Sequence, residues 1–130
     1  MVDTGVNQNN PAAAGGAAKH PCGPYKADVV IPCYQEEDAL PHTVPVLLDF
    51  FAKLVADPSN RLADFRIILV NDGSRDRTWP IIAEMSERHP QIEGVKLSRN
   101  FGHQSAMLAG LMLADADVVI TMDADLQDDI

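Results

Sequence analysis

The chain has 130 residues, of which 46% are hydrophobic and 22% are charged, a composition typical of a single globular domain. Its formal net charge of -9 argues against a nucleic-acid partner, because the sequence has no basic stripe that could neutralise a phosphate backbone. No apolar run approaches the roughly 20 residues that span a bilayer, and the N-terminus lacks the basic-then-apolar pattern of a signal peptide. Two cysteines cannot form a disulfide framework. We therefore expect a cytoplasmic protein.

The first segment, residues 1–25, is rich in Ala, Gly, Asn and Pro and carries almost no large apolar side chain. Such a segment buries too little surface to offset its ordering entropy, so we predict a disordered leader. His20 and Cys22 lie in it, but two such side chains alone are weak evidence for a metal site. We expect the folded domain to occupy residues 26–130.

Four apolar strands are predicted in the rest of the chain. They lie at 28–34, 65–72, 92–98 and 116–125, and turn-forming or polar residues end the first two and the last of them. Nearly continuous apolar strands separated by helices predict a parallel sheet that is covered on both faces.

Three amphipathic helices are predicted between these strands. The first is expected to begin near Thr43, because Pro41 and Pro45 suit a helix start better than a helix interior. The second extends over 78–90, where a proline ends it. The third extends over 102–115, and its small residues allow close packing on the sheet.

The order of the strands follows from the handedness of their connections. Right-handed crossovers in a doubly wound arrangement predict the order 3-2-1-4, with a reversal between strands 1 and 4. Ligands bind outside the carboxyl ends of strands at such a reversal. Strand 1 ends in PCYQEE, strand 2 in NDGS and strand 4 in MDADLQ, so we expect these polar segments to face one crevice.

The last of these segments contains Asp123 and Asp125, two residues apart, whose side chains point the same way on an extended backbone. Two carboxylates offer hard oxygen ligands for Mg²⁺ or Mn²⁺, although a solvated acidic turn would show the same pattern. The chain has neither of the glycine-rich phosphate-binding motifs, which disfavours a dinucleotide or P-loop site. A diphosphate bound in a crevice this acidic would need a cation, and that combination indicates a nucleotide-sugar site.

Four segments in order along the chain carry a resemblance to a known family: VVIPCYQEEDALP, ILVNDGSRDRTW, LSRNFGHQSAMLAGL and ADVVITMDADLQDD. They resemble the N-terminal, nucleotide-sugar-binding half of family 2 glycosyltransferases. The likeness is greatest to the polyprenyl-phosphate glycosyltransferases, the group that includes dolichyl-phosphate mannose synthase. The resemblance covers nearly everything from Ala27 onward, and it implies an α/β fold of the Rossmann-like GT-A type.

The resemblance also implies roles for individual residues. Those expected to bind the donor nucleotide are Pro32, Tyr34, Glu36, Val70, Asp72, Asp123 and Ala124. Those expected to hold Mg²⁺ or Mn²⁺ are Asp123, Asp125 and Gln127, and Asp125 is the expected catalytic residue. Two positions depart from the family pattern: Gln35 replaces a usual Asn, and Asn71 replaces a frequent first Asp. His103 is predicted to be a helix-start or surface residue rather than a base.

The implied reaction is metal-dependent, inverting transfer of a sugar from a UDP- or GDP-sugar to a polyprenyl phosphate. We expect the acceptor site and any membrane contact at the cytoplasmic face to belong to parts beyond Ile130, so that the 130-residue chain alone is inactive. Two alternatives stay open: a non-catalytic nucleotide-binding remnant, and an acidic receiver-type signalling domain. The sequence decides neither the sugar nor the base.

Overall fold

The computed structural model describes residues 24–125, so nearly all of the predicted leader and Gln127 lie outside the described residues. Strands and helices alternate along the chain as β1 Tyr25–Cys33, α1 Leu40–Ala56, β2 Leu62–Asn71, α2 Thr78–Arg88, β3 Ile92–Lys96, α3 His103–Leu113 and β4 Val118–Thr121. Within residues 24–125, none of the helices combines the length and the hydropathy that a bilayer crossing requires.

The four strands form one parallel sheet in the order β3-β2-β1-β4, which confirms the predicted order and its reversal between β1 and β4. The central strand β1 pairs on both sides, so that Val29 lies opposite Ile67 of β2 and Ile120 of β4. Parallel strands present their carboxyl ends at one edge of the sheet. The segments that follow β1, β2 and β4 therefore start from the same edge, as the sequence predicted.

Each face of the sheet has its own core, because side chains alternate between the two faces of a strand. On one face, Val29, Ile31 and Leu69 pack in a cluster with apolar residues of α1 and α2. On the other face, Val30, Ile68 and Val70 pack with Ala106 of α3. The sheet is thus covered on both faces, as predicted.

Small residues bring α3 close to the sheet, as the sequence indicated. A Cβ atom added at Gly110 would lie 2.4 Å from the Val30 side chain and 3.1 Å from that of Val70. Those distances leave no space for a side chain at position 110. The same approach places the first residue of α3 over the carboxyl edge of the sheet.

Several predicted boundaries differ from those of the structure: β1 and β2 begin at Tyr25 and Leu62, earlier than predicted, and the differences in α1 and β4 have identifiable causes. Helix α1 begins at Leu40 rather than near Thr43, because Pro41 occupies the first turn, where its missing N–H is not needed, and Pro45 is accommodated inside the helix. Strand β4 ends at Thr121, although it was predicted to continue to 125. Pairing to β1 ends with the bond from the Met122 amide to the Val30 carbonyl, at 3.1 Å, and the chain then leaves the sheet.

An ion-pair network lies at the opposite, amino edge of the sheet. Asp28 is 3% exposed and accepts two hydrogen bonds from the Arg66 guanidinium, at 2.9 and 3.1 Å, and two from the backbone amides of Asp115 and Ala116. Arg66 also contacts Glu93 at 2.7 Å. Burial raises the pKa of Asp28, but the Arg66 bond and the two amides outweigh it, so the pKa lies below its usual value. The network ties the segment before β4 to β1 and β2.

Candidate functional site

A cavity of about 350 Å³ opens at the carboxyl edge, at the reversal between β1 and β4. Segments that follow all four strands of the sheet contribute to its walls, although they are far apart in sequence. Its lining consists of Pro32, Cys33, Tyr34, Glu36, Asp72, Asn100, Gly102, His103 and Asp123. The structure thus brings together most of the residues that the sequence singled out, and it places them where ligands bind in open parallel sheets.

Carboxylates gather on one side of this cavity. Glu36 is half-buried, and its backbone amide donates a 2.8 Å hydrogen bond to the Thr78 hydroxyl. Burial, and then the nearby charges of Asp125, Asp76 and Asp123, raise the pKa of Glu36 above its usual value. A shift with these causes shows that acidic groups from three separate loops concentrate negative charge at one place. A cation placed there would relieve this repulsion.

The segment that carries Asp123 and Asp125 is held by helix α1. Ala124, between the two aspartates, is 2% exposed, and its carbonyl accepts a 2.7 Å hydrogen bond from the buried hydroxyl of Thr43. The side chains of Asp123 and Asp125 on either side of it are exposed. Pairing in the sheet ends before Asp123, so this bond holds the segment in place beyond the end of β4.

The residues present fit part of a divalent-metal site. Mg²⁺ is commonly held by one or two protein carboxylates, with water and substrate phosphates filling the remaining positions. Asp123 and Asp125 supply two carboxylates beside the cavity, but no group of three or more His, Cys, Asp or Glu side chains within residues 24–125 is arranged as a complete metal cage. The predicted third ligand, Gln127, lies outside the described residues.

Asp72 fixes the opposite wall of the cavity. Its side chain is 2% exposed, and its carboxylate accepts hydrogen bonds from the backbone amides of Phe101, at 2.8 Å, and Gly102, at 3.1 Å. The Asn100 side chain donates to the Asp72 carbonyl at 3.1 Å and to its carboxylate at 3.3 Å. Asp72 therefore joins the end of β2 to the loop that precedes α3. We call this set of bonds the Asp72 latch.

The loop after β1 is built around an unusual backbone conformation. Gln35 has a φ of 57°, in the left-handed region that Asn enters more readily than Gln. Its amide donates to the Ser74 hydroxyl at 2.9 Å, and its side-chain oxygen accepts from the Arg75 amide at 2.7 Å. These bonds present Tyr34, which is 46% exposed, at the mouth of the cavity. The Gln35 side chain thereby joins the loop after β1 to the loop after β2.

Two of the predicted nucleotide contacts lie beneath the cavity rather than in its lining. Val70 has no exposed surface and packs in the core under α3. Ala124 is likewise buried, in the core on the α1 side. Asn71, the second departure, is 1% exposed and accepts a hydrogen bond from the Ser74 amide, so it shapes the turn after β2. Contacts with a ligand remain predictions for all the named residues.

Sequence reasoning overlooked Cys33, Asn100 and Gly102 as lining residues and Thr43 as a supporting one. The available signal for two of them was the RNFG segment, since it follows a strand and precedes a helix. Cys33 is fully buried and Thr43 lies inside a helix, so no local pattern marked either. His103 is the first residue of α3 and exposed, as predicted, and it also lines the cavity.

The chain belongs to glycosyl transferase family 2, whose profile matches residues 28–130. This membership excludes the receiver-type alternative. Among curated relatives, the glycosyltransferase YkoT of Bacillus subtilis is 44% identical over 104 residues, which cover 78% of this chain and 31% of YkoT. The undecaprenyl-phosphate 4-deoxy-4-formamido-L-arabinose transferase of Photorhabdus laumondii is 40% identical over 105 residues. These residues cover 78% of this chain and 30% of the relative, so the chain spans less than a third of either relative.

Solved structures show the same fold at lower identity. The mannosyltransferase PcManGT of Pyrobaculum calidifontis, in complex with GDP-Man and Mn²⁺, superposes with a TM-score of 0.61 at 21% identity, over 78% of this chain and 28% of that chain. S. aureus TarS 1-349, in complex with UDP-GlcNAc, superposes with a TM-score of 0.57 at 24% identity, over 77% and 26%. The predicted GT-A architecture is thereby confirmed.

Proposed function

We propose that this chain is the donor-binding part of an enzyme that transfers a sugar, with inversion, from a nucleoside diphosphate sugar to a polyprenyl phosphate. The observation that supports the proposal most is the cavity at the β1–β4 reversal. Tyr34 and Asp72 line it on one side, and the carboxylate of Asp123 lines it on the other. A nucleoside on the first side and a diphosphate on the second would together match a nucleotide sugar.

In this proposal, different residues bind different parts of the donor. Tyr34 offers an exposed ring against which a base can stack, with Pro32 beneath it. The acidic side repels a diphosphate unless its charge is neutralised. A divalent cation held by Asp123 and Asp125 would supply that neutralisation and stabilise the departing diphosphate. Asp125 is the proposed catalytic residue because, as a ligand of the cation, it would hold that positive charge beside the bond that breaks.

The acceptor is proposed from the relatives, several of which are named as undecaprenyl-phosphate transferases. A phosphate nucleophile is already ionised at neutral pH, so the reaction does not need a strong general base. Because polyprenyl phosphates reside in membranes, we place the reaction at the cytoplasmic face of a membrane.

Calorimetry with UDP and with GDP, each with Mn²⁺ and with a chelator, tests the donor and metal proposals. We expect binding of one nucleotide with Mn²⁺ and none in chelator. Asp125→Asn should weaken this binding about tenfold or more, because it removes one charged ligand, equivalent to about 1.4 kcal/mol. Asp49→Asn, an exposed change of the same charge on α1, should leave it unchanged.

Three results would count against the proposal. Equal affinity in chelator would show that no cation takes part in binding. Loss of the circular dichroism spectrum in Asp125→Asn would show that this residue supports the fold, and its assignment as a metal ligand would then be wrong. Binding without any transfer in a complete protein supplied with polyprenyl phosphate would favour the alternative of a non-catalytic nucleotide-binding remnant.

A further inference from the structure

A second cavity, of about 300 Å³, lies next to the first at the carboxyl ends of β2 and β3. Tyr34 and Asn100 line both cavities and separate them. The two differ in charge. Among the described residues, the lining of the second cavity includes the cations Arg75, Lys96 and Arg99 and no carboxylate. We call it the basic cavity.

This charge is exceptional for the molecule. The chain contains 19 Asp and Glu but only 10 Lys and Arg, so three cations around one cavity oppose the overall balance. In the part of the chain that the structure describes, Arg75, Lys96 and Arg99 take part in no ion pair. All three are exposed to solvent. Their charges are therefore available to an anion.

The two chain segments that carry these cations, at the ends of β2 and β3, are fixed relative to each other. Gly73 has a φ of 70°, and a Cβ atom added there would lie 2.2 Å from the Asn100 amide nitrogen and 2.3 Å from the Arg99 carbonyl carbon. The backbones after β2 and β3 are thus in direct contact, and the Asp72 latch joins them again. A cavity whose walls are already positioned loses less ordering entropy when a ligand binds.

Aromatic rings orient two of the three cationic groups. The Arg99 guanidinium lies 4.3 Å from the centre of the Phe101 ring, and the Lys96 ammonium lies 5.7 Å from that of Trp79. Such contacts hold a cation in place without neutralising its charge. The side chains of Ser74 and Ser98 add hydroxyl groups to the same lining.

From these observations we infer that the basic cavity binds a phosphate-type oxyanion, at a site separate from the acidic one. Three cations and two hydroxyls match the several acceptor oxygens of a phosphate group. Because none of the lining residues that the structure describes is a carboxylate, no metal is needed. The oxyanion can come from a free phosphate compound or from a lipid headgroup. This inference is independent of the proposed transferase reaction.

The test has two arms, both in chelator so that the acidic site cannot contribute through a metal. The first measures binding of inorganic diphosphate by calorimetry. The second measures cosedimentation with vesicles of phosphatidylglycerol and, for comparison, phosphatidylcholine. The variant carries Arg75→Gln, Lys96→Gln and Arg99→Gln. The control carries Lys26→Gln, Lys53→Gln and Arg88→Gln, which remove the same charge at the amino edge of the sheet.

We expect the first variant to bind one of the two oxyanions about tenfold more weakly than the wild type, because charge-assisted bonds act at contact. The affinity of the control should stay within about twofold of the wild type, because distant exposed charges are screened. Loss in the diphosphate arm identifies a free phosphate compound, and loss only in the anionic vesicles identifies a headgroup. Equal weakening in variant and control, or no binding by the wild type in either arm, would overturn the inference. If circular dichroism shows that the triple variant is unfolded, Arg75→Gln alone decides, because that side chain stacks on neither ring.

Nucleotide binding with Mn²⁺, measured on the same proteins, keeps the two proposals apart. The triple variant should retain it if the basic cavity is a separate site. Failure of the diphosphate and vesicle arms with nucleotide binding intact would remove the second site and leave the proposed function standing. If the wild type bound an oxyanion but no nucleotide, the proposed function would fail and the second site would remain.

Discussion

Replacing Asp72 by Ala should destabilise the protein substantially, even though the side chain lies beside a candidate ligand site. The change removes the acceptor for two backbone amides, those of Phe101 and Gly102, and one of two acceptors for Asn100. A buried donor left without a partner costs about 1–3 kcal/mol. Phe101 is exposed and Gly102 is half-buried, so water can reach both amides and the lower end of that range applies. We therefore expect a loss of about 2–3 kcal/mol from the free energy of unfolding.

Urea unfolding followed by the fluorescence of Trp79, the only tryptophan in the chain, measures this loss. A matched control is Asp38→Ala, which removes an exposed carboxylate from the loop before α1. Asp72→Asn keeps one acceptor oxygen and should lie between the two. If Asp72→Ala unfolds at the same urea concentration as the control, the latch contributes nothing and Asp72 is available to a ligand instead. Nucleotide affinity of Asp72→Asn then tests that role directly.

Three further predictions follow from other parts of the structure. The pKa of Asp28 is depressed in the folded state. The stability that Asp28 provides is therefore present above its unfolded pKa of about 4 and is lost as the pH falls through its folded pKa. Arg66→Met should flatten this pH dependence of stability in acid unfolding curves. Gly73→Ala should cost about 3 kcal/mol or more in urea, because both its φ and the opposing backbone exclude a Cβ. Gly102→Ala meets no atom of the described residues within 4 Å and should cost less; equal losses would contradict the contact. The Cys33 thiol should resist alkylation in native protein and react in urea, because burial and then the charge of Glu36 raise its pKa; fast native labelling would contradict that placement.

The sequence predicted the arrangement of the sheet because the strands and helices are recognisable from local patterns and the connections between parallel strands have a fixed hand. Apolar strands separated by helices permit few parallel topologies, and right-handed crossovers select the order that the structure shows. The same reasoning brought Tyr34, Asp72 and Asp123 to one edge without any knowledge of their contacts. Sequence alone failed where tertiary contacts decide. Pro45 lies within α1 despite its local preference, and β4 ends early because Ala124 is drawn into the core against α1.

Long-range polar partnerships were also beyond the sequence. Asp28 and Arg66 are separated by 38 positions, and each sits in a strand that local patterns mark only as apolar. The cations of the basic cavity lie on the loop after β2, at the last residue of β3 and on the loop that follows it, and a count of charges along the chain gives no sign that they meet. Asp72 could be recognised as a turn former, but its amide partners are 29 and 30 positions away. These features depend on which loops meet after folding, and composition or periodicity does not encode that.

The hydrogen bond between Thr43 and the Ala124 carbonyl has a consequence for anyone who transplants or redesigns this acidic segment. Since pairing in the sheet stops at Met122, the two aspartates take their position from α1, the helix that connects β1 to β2. Serine at position 43 would preserve the hydroxyl, whereas valine would keep the shape but leave the carbonyl without its donor. An Asp-x-Asp loop grafted onto another sheet would therefore need its supporting helix as well, since the motif alone does not carry its own geometry.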